Sequence, residues 1–375
     1  MEKKKFTQTE LTGILNKYKI AGGAKDIIPF GSGHINETFR VRNIQIDCPD
    51  YLLQKINGNV FHNIPDVIDN IRNVTHHLKK KLIQIPGANP DKEVLTLLKA
   101  KDGKYFVLDE EGGYWRLHYF LKHTRSYDVV TTKQQAFQGG KAFGKFQAYL
   151  ADLPVKKIHE VIPDFHNIDH RINQFKSALS QDLAGRKDKI SREIDFVIER
   201  EVEMRTIIKL GNEGKIPLRI THNDTKFNNV LLDKNDSAQC VIDLDTVMPG
   251  YVAYDFGDAV RTIINSAPED EPNLENIQLN VPLFEAFTEG FINETSEFLT
   301  DNEVLTLGHG VFLLPFIMGV RFLTDYLNGD IYYKTSFAEH NIQRSRAQFE
   351  LVRKLEQNRK KITEIIYNSY EVKEI

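Results

Sequence analysis

Between residues 220 and 258 the chain reads ITHNDTKFNNVLLDKNDSAQCVIDLDTVMPGYVAYDFGD, and no other stretch narrows the possible folds as much. His222, Asp224 and Asn229 stand in the order H-x-D-x-x-x-x-N, the spacing of a phosphoryl-transfer loop. A short apolar run, VLL, follows, then the turn-forming DKNDSAQ, then a second apolar run, CVID, that ends on an acid. This pattern predicts a hairpin, with a carboxylate base on the loop before it and a metal ligand where its second strand ends.

The rest of the chain has to supply a scaffold for that loop. Its 375 residues suffice for two domains or one elaborated α/β domain. A hydrophobic content of 41% and a charged content of 27% are those of a soluble globular protein. The formal net charge of −3 gives no general attraction to nucleic acid or anionic membrane. Basic runs at 3–5, 79–81 and 359–361 are short and read as solvated helix faces or a terminus. The two cysteines, Cys48 and Cys240, make neither a disulfide framework nor a metal-ligand spacing, which fits a reducing cytoplasm. The segment MEKKKFTQTE has no apolar signal core. The longest apolar stretch, VFLLPFIMGV at 311–320, is too short to span a bilayer and carries Pro315, so it is expected as a buried helix segment.

In chain order, Thr7 and Glu10 have capping-box spacing and start a helix over about 9–18. Gly31-Ser32-Gly33 then lies between two strand-like pieces, where backbone N–H groups can approach phosphate oxygens without a Cβ in the way. YLLQKING follows as a strand carrying Lys55, which either pairs nucleotide phosphates or is an exposed lysine on an edge strand. A helix over 64–82 shows apolar residues at helical spacing, and its acids Asp66 and Asp69 leave the partner of Lys55 open. Two strands, EVLTLL and KYFVLD, and a third, YWRLHYFL, are expected to complete a small sheet. The connection at 118–123 marks the domain boundary, giving an N-terminal lobe of 1–121 and a C-terminal lobe of 122–375.

The second lobe is expected to be mostly helical, giving an α+β fold rather than a doubly wound one. Helices are expected at about 132–150, 168–183, 191–210, 283–298 and 303–327, with a long C-terminal helix from about 337. Gly139, Gly140 and Gly144 suggest close packing of the first of these against a neighbour. His159, His166 and His170 lack a metal-binding spacing and read as surface histidines.

The chemistry concentrates in the opening stretch. Asp224 can accept the proton of an attacking hydroxyl, and Asn229 and Asp243 can hold magnesium through oxygen. Lys226 can offset charge on a γ-phosphate. His222 completes this catalytic group, with a loop-bracing part expected for it. Asp255-Phe256-Gly257 lies thirty-one residues beyond Asp224, too far for the metal aspartate; Asp243, at nineteen, fits that place. Asp255 therefore reads as a buried bracing carboxylate at a helix start.

The sequence resembles the aminoglycoside phosphotransferase and choline kinase superfamily over nearly its whole length. GSGHINETFRV matches the glycine loop, LLQKIN the lysine strand, HNDTKFNNVLLD the catalytic loop, VIDLD the metal strand and YDFGDAVR the bracing segment. Within that superfamily, LLQKIN followed by VF, THNDTKFNNVL, VIDLDTVMPGYVAYDFGDAVR and RFLTDYLNGDIYY are similar to N-acetylhexosamine 1-kinases. The resemblance implies a two-lobed, protein-kinase-like fold that uses ATP and Mg to phosphorylate the anomeric hydroxyl of a small sugar. It implies Asp224 as base, Asn229 and Asp243 at the metal, and Lys55 with Gly31, Ser32 and Gly33 at the nucleotide. Asp245 stands where many relatives carry glycine or glutamate, and a second metal or a sugar hydroxyl are both open for it. His34, Arg321 and Tyr332 are the expected sugar contacts, with an internal salt bridge from Arg321 to Asp325 as the other reading. Choline, ethanolamine, homoserine or an aminoglycoside are the alternative acceptors, and a nucleotide-binding scaffold without catalysis is the non-enzymatic alternative. No nucleic-acid or membrane partner is expected, and a monomer is.

Overall fold

The computed structural model describes residues 6–31 and 35–371, so Ser32, Gly33 and His34 lie outside the described residues. The first part of the chain holds α1 (Gln8–Leu15), β1 (Ala24–Pro29), β2 (Glu37–Asn43), β3 (Tyr51–Lys55), α2 (Ile64–Leu82), the single turn α3 (Pro90–Glu93), β4 (Val107–Leu108) and β5 (Tyr114–Tyr119). The strands form one antiparallel sheet in the order β1-β2-β3-β5-β4. The capping box is present: the Thr7 hydroxyl accepts the Glu10 N–H, and the Glu10 carboxylate accepts the Thr7 N–H at 2.7 Å. It starts α1 one residue earlier than the sequence suggests, and the helix ends at Leu15.

Register decides what the sheet offers to each side. Leu53 pairs with Leu117, Gln54 with Arg116 and Lys55 with Trp115. Paired residues share a face and successive residues alternate. Leu53, Leu117 and Trp115 pack with Leu11, Ile14 and Leu15 of α1, so Lys55 lies on the α1 side. Gln54 and Arg116 lie on the other. Of the two further strands expected, 104–109 forms only the short β4, and 93–98 makes one bridge, Leu97 with His118. Pro90 at the start of α3 presets a helical turn, and the Glu93 carboxylate accepts the Asn89 N–H at 2.7 Å, so backbone groups there close locally.

The helix α2 has the predicted bounds but packs away from the sheet. Its Val67, Ile71, Val74 and Leu78 share a core with Phe146, Ile220, Leu244, Val247 and Met248. Asn70 ties the two together, donating to the carbonyl oxygens of Val247 (2.9 Å) and His159 (2.8 Å).

The second part begins with α4 (Lys133–Leu150), α5 (Ile168–Gln181), α6 (Ser191–Met204) and α7 (Thr206–Asn212). The strands β6 (Arg219–Thr221), β7 (Val230–Leu232), β8 (Ala238–Val241) and β9 (Met248–Gly250) follow. Next come α8 (Val252–Ile264), α9 (Val281–Thr295), α10 (Asp301–Leu327), α11 (His340–Gln357) and α12 (Arg359–Glu371). Two expected single helices are therefore pairs, broken at Arg205 and Asn358. β7 and β8 form the expected hairpin, and β6 pairs with β9 beside it.

The glycines of α4 admit α9. A Cβ on Gly140 would stand 2.0 Å from the Phe287 carbonyl oxygen, and one on Gly290 would stand 2.2 Å from that of Phe137. The helix α10 is long and apolar enough to cross a bilayer, yet its residues are core: Val311, Leu314, Phe316, Ile317 and Val320 are fully buried. An antiparallel sheet followed by a helical part makes the fold α+β and protein-kinase-like.

Candidate active site

The loop from Thr221 to Asn229 is fixed from beneath by the first turns of α8. Asp255 accepts the backbone N–H groups of His222 (2.8 Å) and Asn223 (2.7 Å), and the Gln147 amide donates to it as well. One turn on, Asp258 accepts the Thr225 N–H at 2.9 Å and is ion-paired with Arg261 at 3.0 Å. Burial raises the Asp255 pKa, and the donors aimed at its carboxylate oppose that rise. Asp255 is the bracing carboxylate that its sequence position suggests.

His222 is fully buried between the rings of Phe143 and Phe146. One ring nitrogen lies 2.9 Å from the Ile242 carbonyl oxygen and the other accepts the Asp224 N–H at 3.3 Å. Both nitrogens being committed, His222 braces the loop and is corrected out of the group that faces substrate.

Asp224, Lys226, Asn229 and Asp243 are brought together as the spacing implies. The Lys226 ammonium lies 2.9 Å from Asp224, whose charge is the main cause of its raised pKa. Asn229 donates from its amide nitrogen to the Asp224 carbonyl oxygen at 2.8 Å, which leaves its side-chain oxygen uncommitted. Asp243 takes the left-handed conformation (φ 59°, ψ 56°) just beyond β8, which short polar side chains tolerate and which re-aims the carboxylate. Asp243 is exposed, and its carboxylate has no hydrogen-bond or ion-pair partner among the described residues. Desolvation by the protein packed around it, then the carboxylates of Asp245 and Asp224, push its pKa up to about 6. Crowded, uncommitted oxygens of this kind suit a hard divalent cation, and Asn229 and Asp243 fit magnesium. Among the described residues no cluster of three acidic, histidine or cysteine side chains closes a cage, so water and phosphate oxygens would complete the coordination.

Asp245 is 3% exposed and already has partners. Arg116 of β5 grips it with both terminal nitrogens, and Asn36, just past the glycine loop, donates to it at 2.6 Å. Lys55 is elsewhere. Its ammonium sits 2.9 Å from Asp109, over the Phe6 and Trp115 rings, on the α1 side of the sheet. The expectation that Lys55 binds nucleotide is therefore corrected: strand parity turns it away from the face that meets Asp245. Asp66 and Asp69 do not hold it either, since they engage Asn63 (2.6 Å) and Arg72 (3.2 Å). Gly31 has φ 82°, a left-handed conformation that glycine adopts without strain.

Arg321, on α10, stands among rings. Its guanidinium is 5.6 Å from the centres of Phe165 and Tyr333 and 6.0 Å from that of Tyr332. The salt bridge to Asp325 does not form, because Asp325 accepts the N–H groups of Ile331, Tyr332 and Tyr333 at 2.8–3.0 Å. Arg171 reaches the same place, donating to the Phe165 carbonyl oxygen at 2.8 Å. Burial, then the Arg321 charge, lower the Arg171 pKa to about 10. Neither guanidinium is ion-paired among the described residues. Arg171 Nε, the Tyr333 hydroxyl and His166 Nδ1 are buried there without partners among the described residues.

His166 corrects the surface reading of the three histidines: it is buried, and its other nitrogen lies 3.0 Å from the Asn223 carbonyl oxygen. Arg116, Asn36, His166, Arg171 and Tyr333 were not legible as site residues. The signal for Arg116 was present, a charged residue at an inward position of the apolar strand YWRLHYFL, but it needs the register to interpret.

A model of the phosphotransferase enzyme family matches residues 26–291. Among solved structures, the chain is similar to an aminoglycoside phosphotransferase from Alicyclobacillus acidocaldarius at a TM-score of 0.59 and 11% identity, covering 94% of this chain and 96% of that one. It is similar to a microcompartment-associated aminopropanol kinase at a TM-score of 0.58 and 15% identity, covering 95% and 98%. It is also similar to a choline kinase from Cryptosporidium parvum at a TM-score of 0.54 and 16% identity, covering 92% and 93%.

Proposed function

The chain belongs to the phosphotransferase enzyme family, and on that footing we propose that it transfers the γ-phosphoryl group of ATP to the anomeric hydroxyl of an N-acetylhexosamine, N-acetylglucosamine or N-acetylgalactosamine. The coarser statement, a small-molecule kinase of the aminoglycoside phosphotransferase and choline kinase type, follows from the family match and the fold. In this reading residues 1–121 are the nucleotide-binding lobe and 122–375 the catalytic and acceptor lobe of a cytoplasmic monomer.

The observation that carries the proposal is the Asp224 carboxylate beside Lys226 and close to Asp243, on a loop that His166 joins to the Arg321 cluster through the Asn223 carbonyl oxygen at 3.0 Å. Asp224 accepts the proton of the sugar hydroxyl as its oxygen attacks the γ-phosphorus, the bond to the β-phosphate oxygen breaks, and ADP leaves. Lys226, beside Asp224, offsets charge on the transferring group. Asn229 and Asp243 would hold magnesium, which when bound neutralises the phosphates. On the acceptor side, Arg321 and Tyr332 offer the sugar a cation and a ring face. Arg171 Nε–H and the Tyr333 hydroxyl add donors suited to hydroxyl and acetamido oxygens. Two guanidinium groups without carboxylate partners repel a polycationic aminoglycoside and favour a neutral, oxygen-rich acceptor.

The test is ADP release with Mg-ATP against N-acetylglucosamine, N-acetylgalactosamine, choline, ethanolamine, homoserine and kanamycin, with phosphorus NMR of the product. A sugar 1-phosphate is the expected product. Turnover with an amine alcohol or kanamycin alone would overturn the sugar assignment and leave the family assignment intact.

A further inference from the structure

Once Lys55 is excluded from the cleft by strand parity, the sheet needs another cation to meet the phosphates of a nucleotide. The residues on the cleft-facing side of β2, β3 and β5 include Arg40, Gln54, Arg116 and His118. Arg40 is engaged at the strand edge by Asp50 (2.7 Å) and by the face of the Phe120 ring. Lys122 joins Asp50 as well, at 3.3 Å. His118 is fully buried, and burial holds it neutral. Lys226 is not on the sheet: it sits on the catalytic loop, paired with Asp224. Arg116 is left, 2% exposed, at the point where the sheet meets the segment carrying Asp243 and Asp245.

Its hydrogen bonds show how it is aimed. Nε donates to the Gln54 side-chain oxygen at 3.0 Å, Nη1 is paired with one Asp245 oxygen, and Nη2 donates to the other at 3.1 Å. A guanidinium has five N–H groups in a rigid fork, so these three bonds leave two without a partner among the described residues. A bidentate arginine suits phosphate oxygens as well as it suits a carboxylate. Asn36 donates to the same Asp245 at 2.6 Å, and Arg116 and Asp245 both lie close enough to the Asp243 carboxylate for their charges to act on it.

We propose that Arg116, not Lys55, is the cation that pairs the phosphates of the bound nucleotide, with Asp245 and Gln54 holding its fork in position. The inference rests on the kinase reading above. It extends that reading by moving the phosphate cation from β3 to β5, and it gives Asp245 an aiming part in place of a second-metal or sugar contact.

Calorimetric titration with Mg-ADP and, separately, with adenosine tests this without reference to turnover. Arg116→Met should weaken Mg-ADP about 30-fold and leave adenosine unchanged, as loss of a charge-assisted phosphate contact implies. Arg116→Lys should recover part of the affinity, and Lys55→Met should bind Mg-ADP like the parent. The double variant Arg116→Met with Asp245→Asn removes both buried charges together and so also serves if the single variant fails to fold. It should remain weak for Mg-ADP. Parent-like Mg-ADP affinity in the double variant would reduce Arg116 to a partner for Asp245 and overturn the proposal, as would loss of affinity in Lys55→Met. If the parent itself binds no Mg-ADP, the kinase reading falls first.

Discussion

Asp255 holds Asn223 in a left-handed conformation (φ 64°) by accepting its backbone N–H at 2.7 Å. This one bond sets the direction in which the chain leaves β6 and hence where Asp224 points. Asp255→Asn keeps the volume but turns half of the acceptor into a donor facing two N–H groups. It should cost about 2 kcal/mol of stability, as for lost hydrogen bonds to a buried charge, and lower kcat as well. Urea unfolding and steady-state turnover measure the two effects, and an unchanged kcat would show that the loop holds its shape without α8.

Asp224→Asn should lower turnover about 10²- to 10⁴-fold, the usual contribution of a positioned general base. Affinity for Mg-ADP should stay as in the parent, because the residue faces the acceptor. A scaffold without catalysis would show no parent turnover to lose.

Arg321 has no ion-pair partner among the described residues, so its removal leaves no stranded carboxylate behind. Arg321→Met should raise the KM for the sugar about 10-fold or more while the KM for ATP stays the same, consistent with loss of a charge-assisted contact to substrate alone. A shift in the ATP constant would place Arg321 on the nucleotide side instead.

Gly140 and Gly290 let α4 and α9 meet backbone to backbone. Gly140→Ala puts a methyl group 2.0 Å from the Phe287 carbonyl oxygen, so the helices must separate. The expected cost is about 1–3 kcal/mol, that of overpacking a core. Gly290→Ala acts at the same crossing, so the pair of substitutions should be less than additive in thermal or urea unfolding.

Asp109 gives an acid-dependent term. Burial raises its pKa, but bonds from Trp115, Lys55 and the Gly113 N–H outweigh this and bring it down to about 2. A depressed carboxyl stabilises the fold above its unfolded pKa, near 3.8, and that contribution is lost as pH falls through about 2. The term is about 2 kcal/mol. In Asp109→Asn the stability difference from the parent should be full at pH 5 and shrink between about pH 4 and 2. A constant difference across that range would remove charge from the explanation.

The catalytic stretch was legible because its chemistry is local: Asp224, Lys226, Asn229 and Asp243 lie within twenty residues, and their spacing fixes their geometry. The α4 glycines were legible for a similar reason, since small residues at helical spacing imply a close neighbour. What stayed hidden depends on register and long-range pairing. Nothing in YLLQKING says which face Lys55 takes, and a strand that slips by one residue exchanges Lys55 for Gln54. His166 looked like a surface residue because its burial comes from Phe165, Tyr254 and the catalytic loop, all distant or irregular in sequence. Arg116 could be identified only once β3 and β5 were aligned.

The packing of α2 bears on how the protein can be divided. The helix lies early in the chain, between β3 and β4, yet its apolar side belongs to the core around Phe146, Leu244 and Met248. A fragment ending at residue 121 would keep Ile56, Phe61, Val94 and Leu97 against this apolar stripe but lose Phe146, Ile220, Leu244, Val247 and Met248, and the surface so exposed favours aggregation over autonomous folding. The sheet itself meets the rest of the protein where Arg116 and Asn36 contact Asp245. A cut after β5 would therefore split a core that both sides of it build.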